Sequence, residues 1–175
     1  MKKVVLTMFL AFCAIVSFAQ GRFSVGAEVA LPMGDFADAV GLGIGGTVRY
    51  EAPISDNLNW TATAGFLSFM KETIETPLGD VESSATAIPI QGGVKYYFTE
   101  SFNGFYAAGE LGVHLYKVKV ESELAGGSDD ASETEFSFAP GVGYHLGSFD
   151  IAARYQIAGD GDYLGFRIAY VLGGK

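Results

Sequence analysis

The chain has 175 residues and a mass of 18.5 kDa, a length for one domain and too short for two comfortable ones. With 49% apolar residues, 18% charged and one Cys, it is not a disordered chain, a disulfide scaffold or a cysteine-rich metal domain. A net charge of −9 argues against a nucleic-acid binder, because neutralising phosphates needs a basic face.

The first 19 residues read as an address. Lys2 and Lys3 form a positive start, Val4 to Val16 is an apolar run broken only by Thr7, and Ser17-Phe18-Ala19 sets small residues before Gln20. This is the layout of a secretory signal peptide, and the run is too short for a transmembrane helix of ~20 residues. Cys13 raises lipidation as an alternative, but Phe12 stands where a small residue should precede the thiol, and the apolar run continues past it. Cleavage after Ala19 leaves residues 20–175 without a cysteine. Losing Lys2 and Lys3 then moves the net charge from −9 to −11.

Beyond Gln20 the dominant period is two, the signature of strands. Eight alternating stretches follow: Phe23 to Leu31, Leu42 to Ala52, Leu58 to Phe66, Ile88 to Phe98, Phe105 to Tyr116, Phe136 to Leu146, Phe149 to Gln156 and Leu164 to Leu172. Their connections alternate too. Segments 32–41, 70–84, 121–133 and 157–163 are longer or more polar, and between them lie the shorter 53–57, 99–104 and Gly147-Ser148. An up-and-down antiparallel barrel puts alternate connections at opposite ends, so one end is looped and the other trimmed, as in outer-membrane barrels. Pro89 and Pro140 fall within strands, where each removes a ladder donor, and a bulge or a missing hydrogen bond is expected at both.

Alternation alone does not say which face is inside; a soluble lipocalin-like barrel would turn its apolar face inward. Charge separates the two cases. Glu28, Glu51, Glu110 and Asp150 share the polar strand face with Arg49, Lys95, Arg154 and Arg167, four of each sign. A balanced set suits a salt-bridge network inside a narrow lumen, where an unpaired charge is costly. Asp56 and Glu100 in the short turns offset Arg22 and Lys175 near the termini. The remaining acids fall in or beside the longer connections, with only Lys71, Lys117 and Lys119 among them. Phe23, Tyr50, Trp60, Tyr96, Phe98, Phe105, Phe149 and Tyr170 lie on the apolar face near the trimmed strand ends, as an aromatic girdle at a membrane–water interface would. Gly26, Gly43, Gly45, Gly65, Gly93, Gly112, Gly141 and Gly143, on the polar face, leave room for long charged side chains.

Leu31-Pro-Met-Gly-Asp-Phe36 before a glycine-rich strand, Ile88-Pro-Ile90 leading to Val94-Lys-Tyr-Tyr-Phe98, and Pro140-Gly-Val-Gly-Tyr144 before a tight turn resemble the small outer-membrane β-barrel family, the porin-like OmpA/OmpX type in its Bacteroidota variety. The resemblance covers residues 20–175 and implies an eight-stranded antiparallel transmembrane barrel in the bacterial outer membrane, inserted by the barrel-assembly machinery. Such barrels often end on an aromatic residue. Here the chain ends Tyr170-Val-Leu-Gly-Gly-Lys175, which displaces that signal into the last strand.

Other chemistry is thin. Gly41-Leu-Gly-Ile-Gly-Gly46 matches G-x-G-x-x-G, but Thr47-Val-Arg-Tyr50 after it is strand-like, where a nucleotide site needs a helix. His114 and His145 fall at opposite ends of the barrel, too far apart to share a metal; His114 reads as a lumen residue bonded to Glu110 or Tyr116. The acidic stretches with Glu72, Glu75, Asp80 and Glu82, and with Asp129, Asp130, Glu133 and Glu135, lack the spacing of an EF-hand; weak divalent-cation bridging to lipopolysaccharide is an alternative to solvated loops. The expected function is structural or surface-interacting, with outer-membrane lipid and lipopolysaccharide as neighbours and no catalytic residue, cofactor or metal site. A narrow channel for ions or small solutes and a lipid-modifying enzyme centred on His114 are the alternatives.

Overall fold

A computed structural model of the protein describes residues 21–76, 79–99, 102–122 and 127–172, with side-chain detail lacking at 73–82 and 120–130. The expected leader, residues 1–19, lies outside the described residues. Eight strands follow in chain order: β1 (Arg22–Pro32), β2 (Gly43–Pro53), β3 (Leu58–Thr76), β4 (Gly79–Tyr97), β5 (Gly104–Ser122), β6 (Gly127–Leu146), β7 (Phe149–Ala158) and β8 (Tyr163–Leu172). Each pairs antiparallel with the next, and β1 pairs with β8, so the sheet closes into a barrel with no free edge at its waist.

The barrel is inside-out relative to a soluble protein. Along β1, buried and exposed residues alternate from Phe23 to Leu31. Val25 and Leu111 on the apolar face are 52% and 53% exposed, whereas Arg49 and Glu110 on the polar face are 4% and 3% exposed. Ile44 and Ile168 are exposed in the same way. In water this distribution would forfeit the hydrophobic driving force; in hydrocarbon it is the one that folds. Strands β7 and β8, of 10 residues each, run about 33 Å, which at the usual tilt spans an apolar band of about 25 Å.

The described residues of segments 70–84 and 121–133 are strand, not loop. β3 and β4 stay paired out to Thr76 opposite Gly79, and β5 and β6 out to Ser122 opposite Gly127. At 19 or 20 residues these strands run about 60 Å, twice what the band needs. β4 and β5 also pair out to Val81 opposite Ser122, so a four-stranded sheet rises above one side of the barrel. Its edges are single-sided: β2 pairs with β3 no further than Phe69, and β7 with β6 only from Ser137. These extensions escape a periodicity reading because water wets both faces, and no apolar alternation is required. Where β3 leaves the barrel, the register shifts between Phe69 and Glu72, a bulge that bends the strand away from the wall.

The prolines cost pairing but no register. Pro89 is paired with His114 on its β5 side, while the β3 ladder skips from Ala64–Ile90 to Leu67–Ala87. Pro140 is paired with Gly109, while the β7 ladder skips from Phe138–Ile157 to Gly141–Arg154. Each ring thus turns its missing donor to one neighbour only.

A charge on the apolar face should be penalised as it is in lipid. Leu111→Arg is expected to cost about 2–4 kcal/mol, read as a lower urea midpoint for loss of heat-modifiable gel mobility in vesicles. Ser132→Arg, on the same face but above the band, should leave the midpoint unchanged.

Candidate functional site

The interior is filled in layers, because inward side chains recur every second residue along each strand. At the short-turn end, Arg22, Glu51, Lys95 and Asp150 form a continuous ionic chain. The Arg22 guanidinium meets Glu51 Oε1 at 3.0 Å, and the Lys95 ammonium lies 3.1 Å from Glu51 Oε2 and also pairs with Asp150. Tyr97 and Tyr106 donate hydroxyl hydrogen bonds to Glu51 and Asp150, and Asn59 donates to Glu51. The Lys95 ammonium also sits 4.1 Å from the Tyr106 ring centre, so the buried charge meets two carboxylates and a π-face.

One level further in, Glu110 accepts from Arg49 at 2.8 Å, from Arg154 at 3.2 Å and from the Thr63 hydroxyl at 2.7 Å. Arg154 reaches on to Glu28 at 2.6 Å. Arg167 bridges the wall by donating to Thr47 at 2.7 Å and Ser24 at 2.9 Å, with Asp150 4.0 Å away. Two inward glycines make this crowding feasible: a Cβ on Gly143 would sit 2.3 Å from the Tyr106 ring, and one on Gly93 2.8 Å from Glu110 Cγ. A cavity of about 20 Å³ beside Arg49, Tyr106, Glu110 and Arg154 has room for about one water.

All eight charges of the balanced set, Glu28, Arg49, Glu51, Lys95, Glu110, Asp150, Arg154 and Arg167, are buried in this interior. Arg22, which the sequence groups with the terminal charges, joins them. Its contact with Glu51 makes the network five cations to four anions, with the extra one at the mouth where water can reach it.

Above the ions the lining becomes neutral and then apolar. Gln91 donates to Ser137 and to Gln156, each at 3.2 Å. His114 is fully buried and bonds the Tyr163 hydroxyl at 3.1 Å, not Glu110, while its ring stacks on Tyr116. Next come Ala30, Leu67, Phe69, Ala85, Ala87 and Ala158, closed by a short helix, α1 (Asp35–Ala39), in the β1–β2 connection. α1 turns Phe36 inward against Phe69, with ring centres 4.9 Å apart, and Val40 completes the plug. The polar face is therefore not polar to its top. At the opposite end Phe102, at φ 48°, tucks beneath Tyr97 and Arg22, and its carbonyl lies 2.6 Å from His145 Nδ1. His114 and His145 thus belong to two different plugs, and among the described residues no group of three or more potential ligands gathers.

Outside, Phe23, Trp60, Tyr96, Phe98, Phe105, Phe149 and Tyr170 are exposed near the short-turn end. Tyr50 is on the same face but covered, its ring 4.9 Å from Phe23 and 5.2 Å from Trp60. Tyr144, 4.7 Å from Phe105, belongs with them and was legible from its place in β6. Phe66, Phe136, Tyr155 and Phe166 are exposed towards the other end of the band.

An apolar band on a closed barrel, with ions sealed inside, defines an integral β-barrel membrane protein. The chain belongs to the outer membrane protein beta-barrel domain family, whose model matches residues 4–171. That membership is consistent with a bacterial outer-membrane location. Among solved structures it is similar to Ail, the attachment invasion locus protein of Yersinia pestis, with a TM-score of 0.61 at 16% identity over 87% of this chain and 97% of that one. The N-terminal β-barrel domain of Pseudomonas aeruginosa OprF matches with a TM-score of 0.51 at 11% identity, over 86% and 97% of the two chains. Neisserial surface protein A matches at 0.50 and 12%, over 89% and 98%. At such identities the likeness is one of fold. No curated protein matches the sequence.

Removing one member of the ionic layer strands its partners. Glu110→Ala leaves Arg49 and Arg154 short of an anion and should cost about 3–5 kcal/mol. Thr63→Val, which removes a hydroxyl that donates to Glu110 and accepts from Arg49 Nε, should cost less, about 1.5–3 kcal/mol. Reversible urea unfolding of the refolded barrel in vesicles measures both.

Proposed function

We propose that the protein is an exported outer-membrane anchor that presents a tall acidic sheet to the cell exterior, with a structural or surface-interaction role and neither transport nor catalysis. The observation that carries this reading is the filling of the lumen at every level. Phe102 and the Arg22–Glu51–Lys95–Asp150 chain fill the short-turn end, the Glu110 cluster the middle, and Phe36 with its apolar neighbours the other end. A solute would have to break several buried ion pairs at once to pass. His114 is fully buried below Phe69 and Phe36 with its Nε2 engaged by Tyr163, a poor position from which to act on a lipid.

In this reading residues 1–19 are a cleaved signal peptide, and the barrel-assembly machinery inserts the rest. The seven exposed aromatics form the periplasmic-side girdle and the eight-charge network stabilises the interior. The rising sheet is then the part that meets the outside. Its acidic composition deters edge-to-edge association, while its single-sided edges on β3 and β6 keep backbone donors and acceptors available to a partner strand. Ail, described as an attachment protein, uses a barrel of the same fold.

Planar bilayers containing the refolded protein should show no conductance above the lipid baseline; discrete channel openings would overturn the sealed-anchor reading. Cells carrying the intact protein should also adhere to surfaces or to one another differently from cells whose hairpins are shortened by turns replacing 73–82 and 120–129. Equal adherence, with both versions inserted equally, would overturn the surface role.

A further inference from the structure

Two lysines of the looped half, Lys117 and Lys119, share one face of one strand. Along β5 the inward positions are Glu110, His114 and Tyr116, followed by Val118, which packs against the apolar plug. Lys117 and Lys119 therefore continue the outward, lipid-side series of Leu111, Val113 and Leu115, and both are exposed. Glu72, Glu133 and Glu135 occupy the other face, since their register partners are the inward Ser83, Tyr116 and His114. At this height Lys117 and Lys119 therefore stand on the lipid side of β5, whereas Glu72, Glu133 and Glu135 stand towards the barrel axis.

Register then fixes what surrounds Lys117. Ser68 is opposite Thr86, Thr86 opposite Lys117 and Lys117 opposite Ser132, giving one outward row of three hydroxyls and an ammonium across four strands. The next row towards the short-turn end is Ile88, Leu115 and Thr134, and the one after it Ile90, Val113 and Phe136. Lys117 therefore stands on the first polar row beyond the apolar band, at the level of lipid headgroups. Lys119 lies one row further out, next to Ser84 and opposite Asp130, so Lys117 is the better placed of the two.

We infer that this row is a docking site for a phosphorylated glycolipid of the outer leaflet. The Lys117 ammonium, reinforced by Lys119, would pair with the phosphate, while Ser68, Thr86 and Ser132 would exchange hydrogen bonds with phosphate and sugar oxygens. The apolar rows beneath would then lie along the acyl chains. A lysine beside an anionic headgroup layer is worth about fivefold in affinity, and hydroxyls alone would not discriminate a phosphate from a sugar. The inference deepens the membrane-anchor reading and rests on it, because the sheet must face the outer leaflet.

The test uses the refolded full-length barrel in neutral detergent, titrated with bisphosphorylated lipid A, with the same glycolipid lacking phosphates and with phosphatidylglycerol. Binding is followed by native mass spectrometry. Lipid A should bind tightest, and Lys117→Gln should weaken it about fivefold and the Lys117→Gln/Lys119→Gln pair about 25-fold. Lys117→Arg should retain binding, and raised salt should reduce the wild-type affinity. Unchanged affinity in the glutamine variants, equal binding of the phosphate-free glycolipid, or tighter binding of phosphatidylglycerol would each overturn the site. Heat-modifiable mobility is checked for every sample. A wild-type chain lacking it would overturn the anchor reading itself, whereas folded variants with unaltered binding overturn only the site.

Discussion

Hydrocarbon offers no hydrogen-bonding partner to a peptide group, and each unpaired N–H or C=O inside it costs several kcal/mol. A sheet that crosses a membrane must therefore close on itself, as β1 and β8 do here over ten consecutive register pairs from Phe23–Leu172 to Pro32–Tyr163. Closure at eight strands leaves a tube so narrow that inward side chains meet across it. From that one constraint follow the burial of the charged residues, the glycines beside the largest of them, and the exposure of the aliphatic ones. The two prolines obey it as well, each interrupting pairing on one side of its strand while the other side stays in register.

The wall was legible in the sequence because lipid and lumen are two different solvents, and period two records the difference at every residue. The four acids and four bases of the network could be named for the same reason. Their pairing could not. Arg154 reaches Glu28 across 126 residues of chain, and Arg49 reaches Glu110 across 61, distances set by the stagger of the closed barrel. Arg22 is not legible as a member, because it stands at the very start of β1, before the alternation begins. The apolar plug is not legible, because α1 has five residues, too few to show a helical period, and because Leu67 and Phe69 continue β3 past Phe66, where clear alternation ends. The sheet above the membrane was hidden for the opposite reason: with water on both faces nothing enforces alternation, and only its pairing marks it as strand.

The two ends of the lumen are closed by different chemistry, and the difference matters for specificity. Phe36, Val40, Leu67 and Phe69 exclude water, but an apolar cluster of this kind tolerates repacking. The ionic layers do not. Glu51 takes donors from Arg22, Asn59, Lys95 and Tyr97, and Glu110 from Arg49, Thr63 and Arg154, each from a separate direction. Within a water-poor tube such bonds are stronger than in solution, and a member left alone is correspondingly expensive.

A strand slipped by one residue would turn its whole polar face towards hydrocarbon. For β2 that slip exports Thr47, Arg49 and Glu51 together; for β7 it exports Asp150, Arg154 and Gln156. A slip by two keeps the faces but moves each charge about 7 Å along its strand, away from partners held within 2.6 to 3.2 Å. Hydrophobic alternation therefore selects the face, and the ion network selects the register within that face. Neither could do the other's work, because aliphatic side chains in lipid are indifferent to which neighbour they touch, while a buried guanidinium is not.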